Sequence, residues 1–190
     1  MSSEFAPSKH RQPSQRRVIS DGSSSRTFAT APQSILHQSA CGAASDVTGV
    51  AFGGRAWETF AHGADVGVRG RGANIAEAFA NAAVALTSAI TDPAAVRQER
   101  EVSLACQAPD AELLLYDFLN AVVTAMAVED LIFGRYDVRI EGDRLTAYAF
   151  GEPVDAPRHA PAVEVKGATL TELKVACEDG RWIAQCVVDV

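Results

Sequence analysis

Two stretches of the chain repeat apolar residues at the 3.6-residue period of an amphipathic helix. In the first stretch, Asn74 and Glu77 have the spacing of a capping box, which satisfies free backbone N–H groups at a helix start. This helix should end before Asp92 and Pro93, because the residue before a proline avoids helical angles. The second helix is predicted to begin at Asp110. The apolar faces comprise Ile75, Phe79, Ala82, Ala83, Leu86 and Ile90 in the first helix and Leu114, Leu115, Phe118, Leu119, Val122 and Met126 in the second.

Other segments alternate apolar and polar residues at the period of 2 that is typical of strands. Strands are predicted at residues 57–60, 66–72 and 98–107 and in a continuous run after residue 131. The glycines of the 66–72 strand indicate a bulge or a close approach of another backbone. Two tight hairpins are predicted, each with a Gly/Asp pair at the turn and a Glu and an Arg flanking it. The pattern predicts an α+β fold: an antiparallel-rich sheet of about eight strands with two amphipathic helices packed on it.

Residues 1–55 show neither period and are rich in Ser, Ala, Gln and Gly. We expect them to be a disordered or mis-annotated N-terminal extension, and residues 56–190 to form one globular domain. The extension has six basic and three acidic residues, whereas the domain has eleven basic and 21 acidic residues, a net charge of −10. Because such a domain repels phosphate backbones, we expect no strong direct binding of nucleic acid and favour a basic protein or a cation as partner.

The four cysteines form no C-x-x-C motif and have no His at the spacing of zinc ligands. Three of them, Cys106, Cys177 and Cys186, lie in apolar strand-like runs, which favours buried thiols in a reducing compartment. No apolar run reaches the roughly 18 residues that a membrane span needs. The sequence therefore predicts a cytoplasmic protein that does not enter a membrane.

A histidine and a carboxylate flank a turn of small residues, with His62 before it and Asp65 after it. His62 suits either a turn histidine bonded to backbone or a direct functional role, and Asp65 suits either a turn cap or a metal ligand. At the other end of the sequence, Asp189 is followed only by Val190 and its α-carboxylate, which concentrates negative charge. Oxygen ligands of this kind suit Ca²⁺ or Mg²⁺, whereas zinc prefers His and Cys. We expect both ends of the domain to meet at one cation.

A loop between the two predicted hairpins is dense in ionisable side chains within fifteen residues, among them Glu152, Asp155, Arg158, His159 and Lys166. It is either a solvated connection or a binding surface, since loops held by a rigid scaffold often carry binding groups. No nucleotide-binding or hydrolase motif accompanies these residues. The sequence thus indicates no catalytic residue, and a metal-dependent hydrolase is kept only as an alternative.

Several strings, in the same order along the chain, resemble the archease family. They are residues 62–68 (HGADVGV), 74–79 (NIAEAF), 110–114 (DAELL), 117–120 (DFLN), 151–159 (GE, D and RH), 164–166 (EVK) and 187–190 (VVDV). The resemblance runs from Trp57 to Val190 and covers the whole predicted domain. Two departures are Gly63, where the family often has Thr or Ser, and Gly167, where Ala is usual.

The resemblance implies an archease-like α+β fold and the role of a non-enzymatic accessory protein to an RtcB-type RNA ligase. That ligase joins RNA ends through a guanylylated histidine with GTP and Mn²⁺, in tRNA splicing or RNA repair, and archease-like proteins promote the guanylylation and multiple turnover. The resemblance also implies a divalent metal, foremost Ca²⁺ with Mn²⁺ or Mg²⁺ as alternatives, bound by Asp65, Asp189 and Val190.

The remaining polar residues are candidate contacts to the partner protein or to phosphate. These candidate contacts are His62, Glu152, Asp155, Arg158, His159 and Lys166.

The alternative function is a chaperone or modulator of another RNA-modifying enzyme, such as a tRNA methyltransferase.

Overall fold

The computed structural model describes residues 55–190. The predicted N-terminal extension lies outside the described residues except for Arg55, so its boundary stays a prediction. The strands are β1 (Trp57–His62), β2 (Asp65–Gly72), β3 (Arg100–Gln107), β4 (Leu131–Glu141), β5 (Arg144–Pro153), β6 (Gly167–Ala168), β7 (Lys174–Glu178) and β8 (Arg181–Asp189). The helices are α1 (Ile75–Ile90), α2 (Ala111–Glu129) and the short α3 (Ala156–His159), and a 3-10 turn covers Pro93–Ala95.

The described strands form two antiparallel sheets. One has the order β1-β2-β8-β6, with β7 also paired to β8, and the other has the order β3-β5-β4. Both predicted hairpins are present, with Glu141 opposite Arg144 and Glu178 opposite Arg181. The predicted α+β fold with two amphipathic helices and eight strands is confirmed. The division into two sheets depends on pairing between distant segments, which the local pattern does not record.

The two long helices pack on the sheets through the faces predicted from their periodicity. In α1 the Asn74 side chain accepts the backbone N–H of Glu77 at 2.9 Å, so Asn74 is confirmed as the helix cap. The Glu77 carboxylate accepts the N–H of Ala73, the residue before the cap, at 2.9 Å, instead of the N–H of Asn74 that a complete capping box would use. Phe79 of α1 and Phe118 of α2 are fully buried, and their ring centroids lie 6.3 Å apart. This contact joins the helices at the centre of the core.

Glycines on β2 allow α1 to approach the sheet closely. A Cβ atom at Gly70 would lie 2.1 Å from the carbonyl oxygen of Ala78 and 2.2 Å from the backbone nitrogen of Ala82. At Gly72 it would lie 2.6 Å from the backbone nitrogen of Ala78. The predicted close backbone approach is therefore confirmed, and it places the start of α1 directly against the strand that follows the His62 turn.

Two expectations from the sequence need correction. Cys186 is a buried free thiol, but Cys106 is only half-buried and Cys177 is exposed and disulfide-bonded, so the prediction of buried thiols holds for Cys186 alone. The helix α2 is also long and apolar enough, by length and composition, to cross a membrane, although no such run was found in the sequence. One third of that apolar window is buried in the domain, including Leu114 and Phe118.

Candidate functional site

The β1–β2 hairpin presents His62 and Asp65 side by side. These two residues are the last opposed pair of the ladder and enclose the turn formed by Gly63 and Ala64. Gly63 has a φ of 62°, a left-handed angle that glycine adopts without a steric penalty. The turn thus lets the ladder close at the point where the two polar side chains emerge, both of them half-buried.

The pairing of β2 with β8 brings Asp189 to the same end of the sheet as the His62–Asp65 turn. Val66 lies opposite Val188 and Gly67 lies opposite Val187. In that register the next position on β2, Asp65, faces Asp189 at the end of β8. The ladder therefore places two carboxylates that are 124 positions apart in the sequence at neighbouring positions on one sheet edge.

Lys166 supplies the positive charge at this edge. Its backbone N–H donates to the carbonyl oxygen of Asp189 at 2.9 Å, just before Gly167 pairs with Asp189 in β6. Its Nζ donates to an oxygen of Val190 at 2.9 Å and lies 3.7 Å from Oδ1 of Asp189. Both side chains are more than half exposed, so water weakens this attraction. The ammonium group thus offsets part of the negative charge at Asp189 and Val190.

Asn120 of α2 holds β6 behind Asp189. Its Oδ1 accepts the backbone N–H of Ala168 at 3.0 Å, and its Nδ2 donates to the carbonyl oxygens of Ala168 at 3.3 Å and Tyr116 at 3.0 Å. From the sequence, Asn120 enters only as part of the family-like string 117–120. Its position inside a helix was the available signal, because asparagine is disfavoured there unless its side chain finds backbone partners.

A second polar cluster forms where β5 meets α3. The side chain of Glu152 is buried, and its carboxylate accepts hydrogen bonds from Arg158 Nη1 at 2.9 Å and Nη2 at 2.5 Å and from the backbone N–H of Arg97 at 2.6 Å. These bonds, foremost those of Arg158, outweigh the opposing effect of burial and lower the pKa of Glu152 from 4.5 to about 2. Glu152 therefore remains ionised at every physiological pH.

His159 completes this cluster from the end of α3. It is buried, its Nδ1 accepts the backbone N–H of Asp155 at 3.0 Å, and its Nε2 lies 3.3 Å from Oε1 of Glu152. The proton consequently belongs on Nε2, which donates to Glu152. The backbone oxygen of His159 also accepts a bond from Thr91 Oγ1 at 2.6 Å, which fastens α3 to the end of α1.

The structure therefore divides the predicted site residues into two groups. Asp65, Asp189, Val190 and Lys166, with His62 at the turn, lie at the end of the β1-β2-β8-β6 sheet. Glu152, Asp155, Arg158 and His159 form the cluster at α3, in which Arg158 Nε lies 3.6 Å from Oδ2 of the exposed Asp155. Glu152 and His159 direct their polar atoms into this internal network rather than to solvent.

The first group contains oxygen atoms of the kind that hard cations bind. Its donors are two carboxylates and the oxygen of Val190, which suit Ca²⁺ or Mg²⁺ with water completing the coordination. Among residues 55–190, no three His, Cys, Asp or Glu side chains lie close enough together to hold a metal by themselves. The main-chain oxygen and water would thus be essential to any cation bound here.

Comparison with known proteins identifies the family. The family model of the Archease protein family (MTH1598/TM1083) matches residues 57–190. The protein archease of Pyrococcus abyssi is 37% identical over 139 residues, which covers 70% of this chain and 98% of that protein. The protein archease of Thermococcus gammatolerans is 41% identical over 143 residues, which covers 72% of this chain and 99% of that protein. The match therefore spans the described domain and almost the full length of these relatives.

A solved structure shares the fold of the described domain. The solution structure of Protein 1598 from Methanobacterium thermoautotrophicum superposes with a TM-score of 0.64 at 29% identity and covers 71% of this chain and 99% of that one. A Thermotoga maritima crystal structure, of an archease described as a possible chaperone, gives a TM-score of 0.49 at 16% identity, covering 69% and 94%. Since the family model spans residues 57–190, well over half of the sequence, the chain belongs to the Archease protein family.

Proposed function

We propose that the chain is a metal-binding accessory protein that activates an RtcB-type RNA ligase by promoting its guanylylation and multiple turnover. The proposal is supported by one observation in this family member: Val66 lies opposite Val188, so the β2–β8 register brings Asp65 next to Asp189, the residue before Val190. The ligase would act in tRNA splicing or RNA repair in the cytoplasm. The metal would be Ca²⁺, with Mn²⁺ or Mg²⁺ as alternatives.

The charged residues at this end of the sheet would favour binding of a charged partner. Lys166 orients Asp189 through its backbone N–H and screens the negative charge of Asp189 and Val190 through its ammonium group. A bound divalent cation would supply the positive charge that attracts GTP phosphates or the carboxylates of a ligase active site. The net charge of −10 over residues 56–190 favours docking on a basic, metal-loaded protein surface over docking on RNA.

The two polar groups have different parts in this proposal. Asp65 and Asp189 handle the metal, Lys166 and His62 lie beside them, and these four are the groups available to phosphate or ligase at the sheet edge. Glu152, Arg158 and His159 position α3 and the loop that leads to Lys166. In the same cluster, Asp155 is exposed and is the candidate for direct contact with the partner.

The test is guanylylation and RNA joining by the cognate RtcB-type ligase, under single-turnover and multiple-turnover conditions, with and without this chain. The wild-type chain should increase both rates, and Asp65→Asn or Asp189→Asn should remove the increase. Asp117→Asn, which removes the same charge from an exposed position on α2, is the matched control and should keep it. Absence of stimulation by the wild-type chain at every metal concentration would refute the ligase as partner.

The alternatives predict different results in the same preparations. Stimulation of a tRNA methyltransferase, with no effect on the ligase, would support a general modulator of RNA-modifying enzymes. Phosphate release that disappears in Asp65→Asn would support a metal-dependent hydrolase. The role of Val190 has its own test: a C-terminal peptide extension should weaken Ca²⁺ binding in calorimetry, and equal affinity would show that its carboxylate is not a ligand.

A further inference from the structure

The strand β4 leaves one edge open in the part of the chain that the structure describes. In the order β3-β5-β4, it pairs with β5 on one side only. A register shift interrupts the ladder between Phe133 and Arg135, and from Arg135 to Glu141 the pairing is regular. An open edge of this kind presents unpaired backbone N–H and C=O groups to any strand that can reach them.

The hairpin that follows β4 determines which backbone groups point outward. Its turn contains only two residues, so the flanking pair, Glu141 and Arg144, exchanges both backbone hydrogen bonds. Alternation along the strand then directs the backbone groups of Tyr136, Val138 and Ile140 away from β5. Residues 136–139 also line a cleft of about 470 Å³, whose other walls are the first turns of α1 and Tyr148 of β5.

The exposed side chains of this segment alternate in charge. Arg135, Asp137, Arg139 and Glu141 are all exposed. Within the strand, Arg135 Nη2 donates to Oδ2 of Asp137 at 2.8 Å, so a pairing with a second strand has to compete with this exposed ion pair. Edge strands that avoid association commonly use prolines or charges that repel a second copy. Here the order of signs is plus, minus, plus, minus, so the segment is complementary to itself when it is read in the opposite direction.

We propose that β4 pairs antiparallel with β4 of a second copy of this chain, centred on Val138 of both copies. In this register Arg135 lies opposite Glu141 of the second copy, and Asp137 lies opposite Arg139 of the second copy. By symmetry the pairing forms four cross-strand pairs of opposite charge. The outward backbone groups of residues 136, 138 and 140 then meet those of residues 140, 138 and 136, as antiparallel hydrogen bonding requires.

Neighbouring registers are disfavoured by the same charges. A shift by two residues in one direction places Arg135 opposite Arg139 and Asp137 opposite itself. The shift in the other direction places Asp137 opposite Glu141 and Arg139 opposite itself. Like charges directly opposite each other destabilise a strand pair, so the register centred on Val138 is the one that the charges select.

Sedimentation equilibrium of the full chain over a range of concentrations tests this pairing. The wild-type chain should form a dimer whose dissociation constant rises with salt, because exposed ion pairs are screened. Arg139→Glu and Asp137→Arg each replace two attractive pairs by two repulsive ones and should raise the dissociation constant about tenfold or more. Glu101→Arg, on the other edge strand of the same sheet, is the matched control and should leave it unchanged.

Charge exchange distinguishes the proposed register from general destabilisation. An equimolar mixture of Arg139→Glu and Asp137→Arg chains restores all four opposite-charge pairs, so it should dimerise like the wild type. The double variant Asp137→Arg with Arg139→Asp should do so alone. A wild-type chain that stays monomeric at every concentration would overturn the proposal. So would a dimer that neither single variant weakens, or single variants that fail to associate when mixed although circular dichroism shows that both are folded.

Discussion

The side-chain amide of Asn120 connects α2 to β6, and we predict that Asn120→Ala opens β6 and weakens the cation site beside it. The substitution removes the bonds to the backbone N–H and C=O of Ala168, at 3.0 and 3.3 Å. A neutral hydrogen bond contributes about 0.5–1.5 kcal/mol, and a buried donor left unsatisfied costs about 1–3 kcal/mol. The two lost bonds to β6 therefore amount to about 2 kcal/mol.

This magnitude has two measurable consequences. A loss of about 2 kcal/mol corresponds to roughly 30-fold faster amide exchange at Ala168 when exchange follows local opening. For a domain of this size it also lowers the melting temperature by roughly 6–10 °C. The Ca²⁺ affinity measured by calorimetry should fall as well, because β6 and Lys166 hold the main chain of Asp189 in place.

Hydrogen exchange followed by NMR, with thermal melting, is the assay for this prediction. Asp117→Ala is the control, since it truncates an exposed side chain on the same helix less than one turn away. Its exchange rates and melting temperature should stay close to those of the wild type. If Asn120→Ala also leaves the exchange of Ala168 unchanged, the amide bonds do not hold β6, and the argument that α2 supports the sheet edge is wrong.

Three further predictions concern the two polar groups and the packing of α1. Arg158 lowers the pKa of Glu152 from 4.5 to about 2, so the ionised carboxylate stabilises the folded state fully above pH 4.5, and this stabilisation is lost as the pH falls towards 2. In urea denaturation, the free energy of unfolding of Glu152→Gln should therefore change less with pH between 4.5 and 2 than that of the wild type. The same pH dependence in both proteins would contradict this. Lys166→Gln should raise the Ca²⁺ affinity in calorimetry, because its ammonium group competes for the same oxygens; equal affinity would argue against a cation site there. Gly70→Ala should lower the free energy of unfolding by about 1–3 kcal/mol, because the new Cβ would lie 2.1 Å from the Ala78 oxygen, and unchanged chemical denaturation would show that α1 can move away.

Features with local causes were predictable from the sequence. The start of α1 follows from the side chains of Asn74 and Glu77, three residues apart, which bond within the first turn. The register of the last hairpin follows from its two-residue Asp-Gly turn, where Asp179 and Gly180 both have positive φ. In each case the residues that determine the local conformation lie within one helical turn or one hairpin turn. A few consecutive residues of the sequence are therefore enough to predict it.

Features with distant causes were not predictable in this way. The sequence pattern places Glu152 in an ionisable loop, yet its carboxylate accepts the backbone N–H of Arg97, 55 positions earlier in the sequence. Likewise, the alternation in β2 and β8 indicates two strands but not that Val66 faces Val188. The expectation that Asp65 and Asp189 share a ligand came from the family resemblance and the chemistry of carboxylates, because no local pattern connects the two strands.

The loop from Ala160 to Val165 joins the two polar groups and is fixed at both ends. Before it, His159 is buried against Glu152, and after it, Lys166 bonds to Asp189 and Val190. The Lys166 end is the weaker one, because its ammonium group is exposed and water screens its ion pair, whereas the Glu152 cluster is buried and has several hydrogen bonds. A cation or a basic partner that displaces the ammonium group would therefore free the Lys166 side chain first. The backbone N–H of Lys166 would still donate to Asp189, so the change would be confined to exposed side chains at this end of the sheet, and the core around Phe118 would keep its packing.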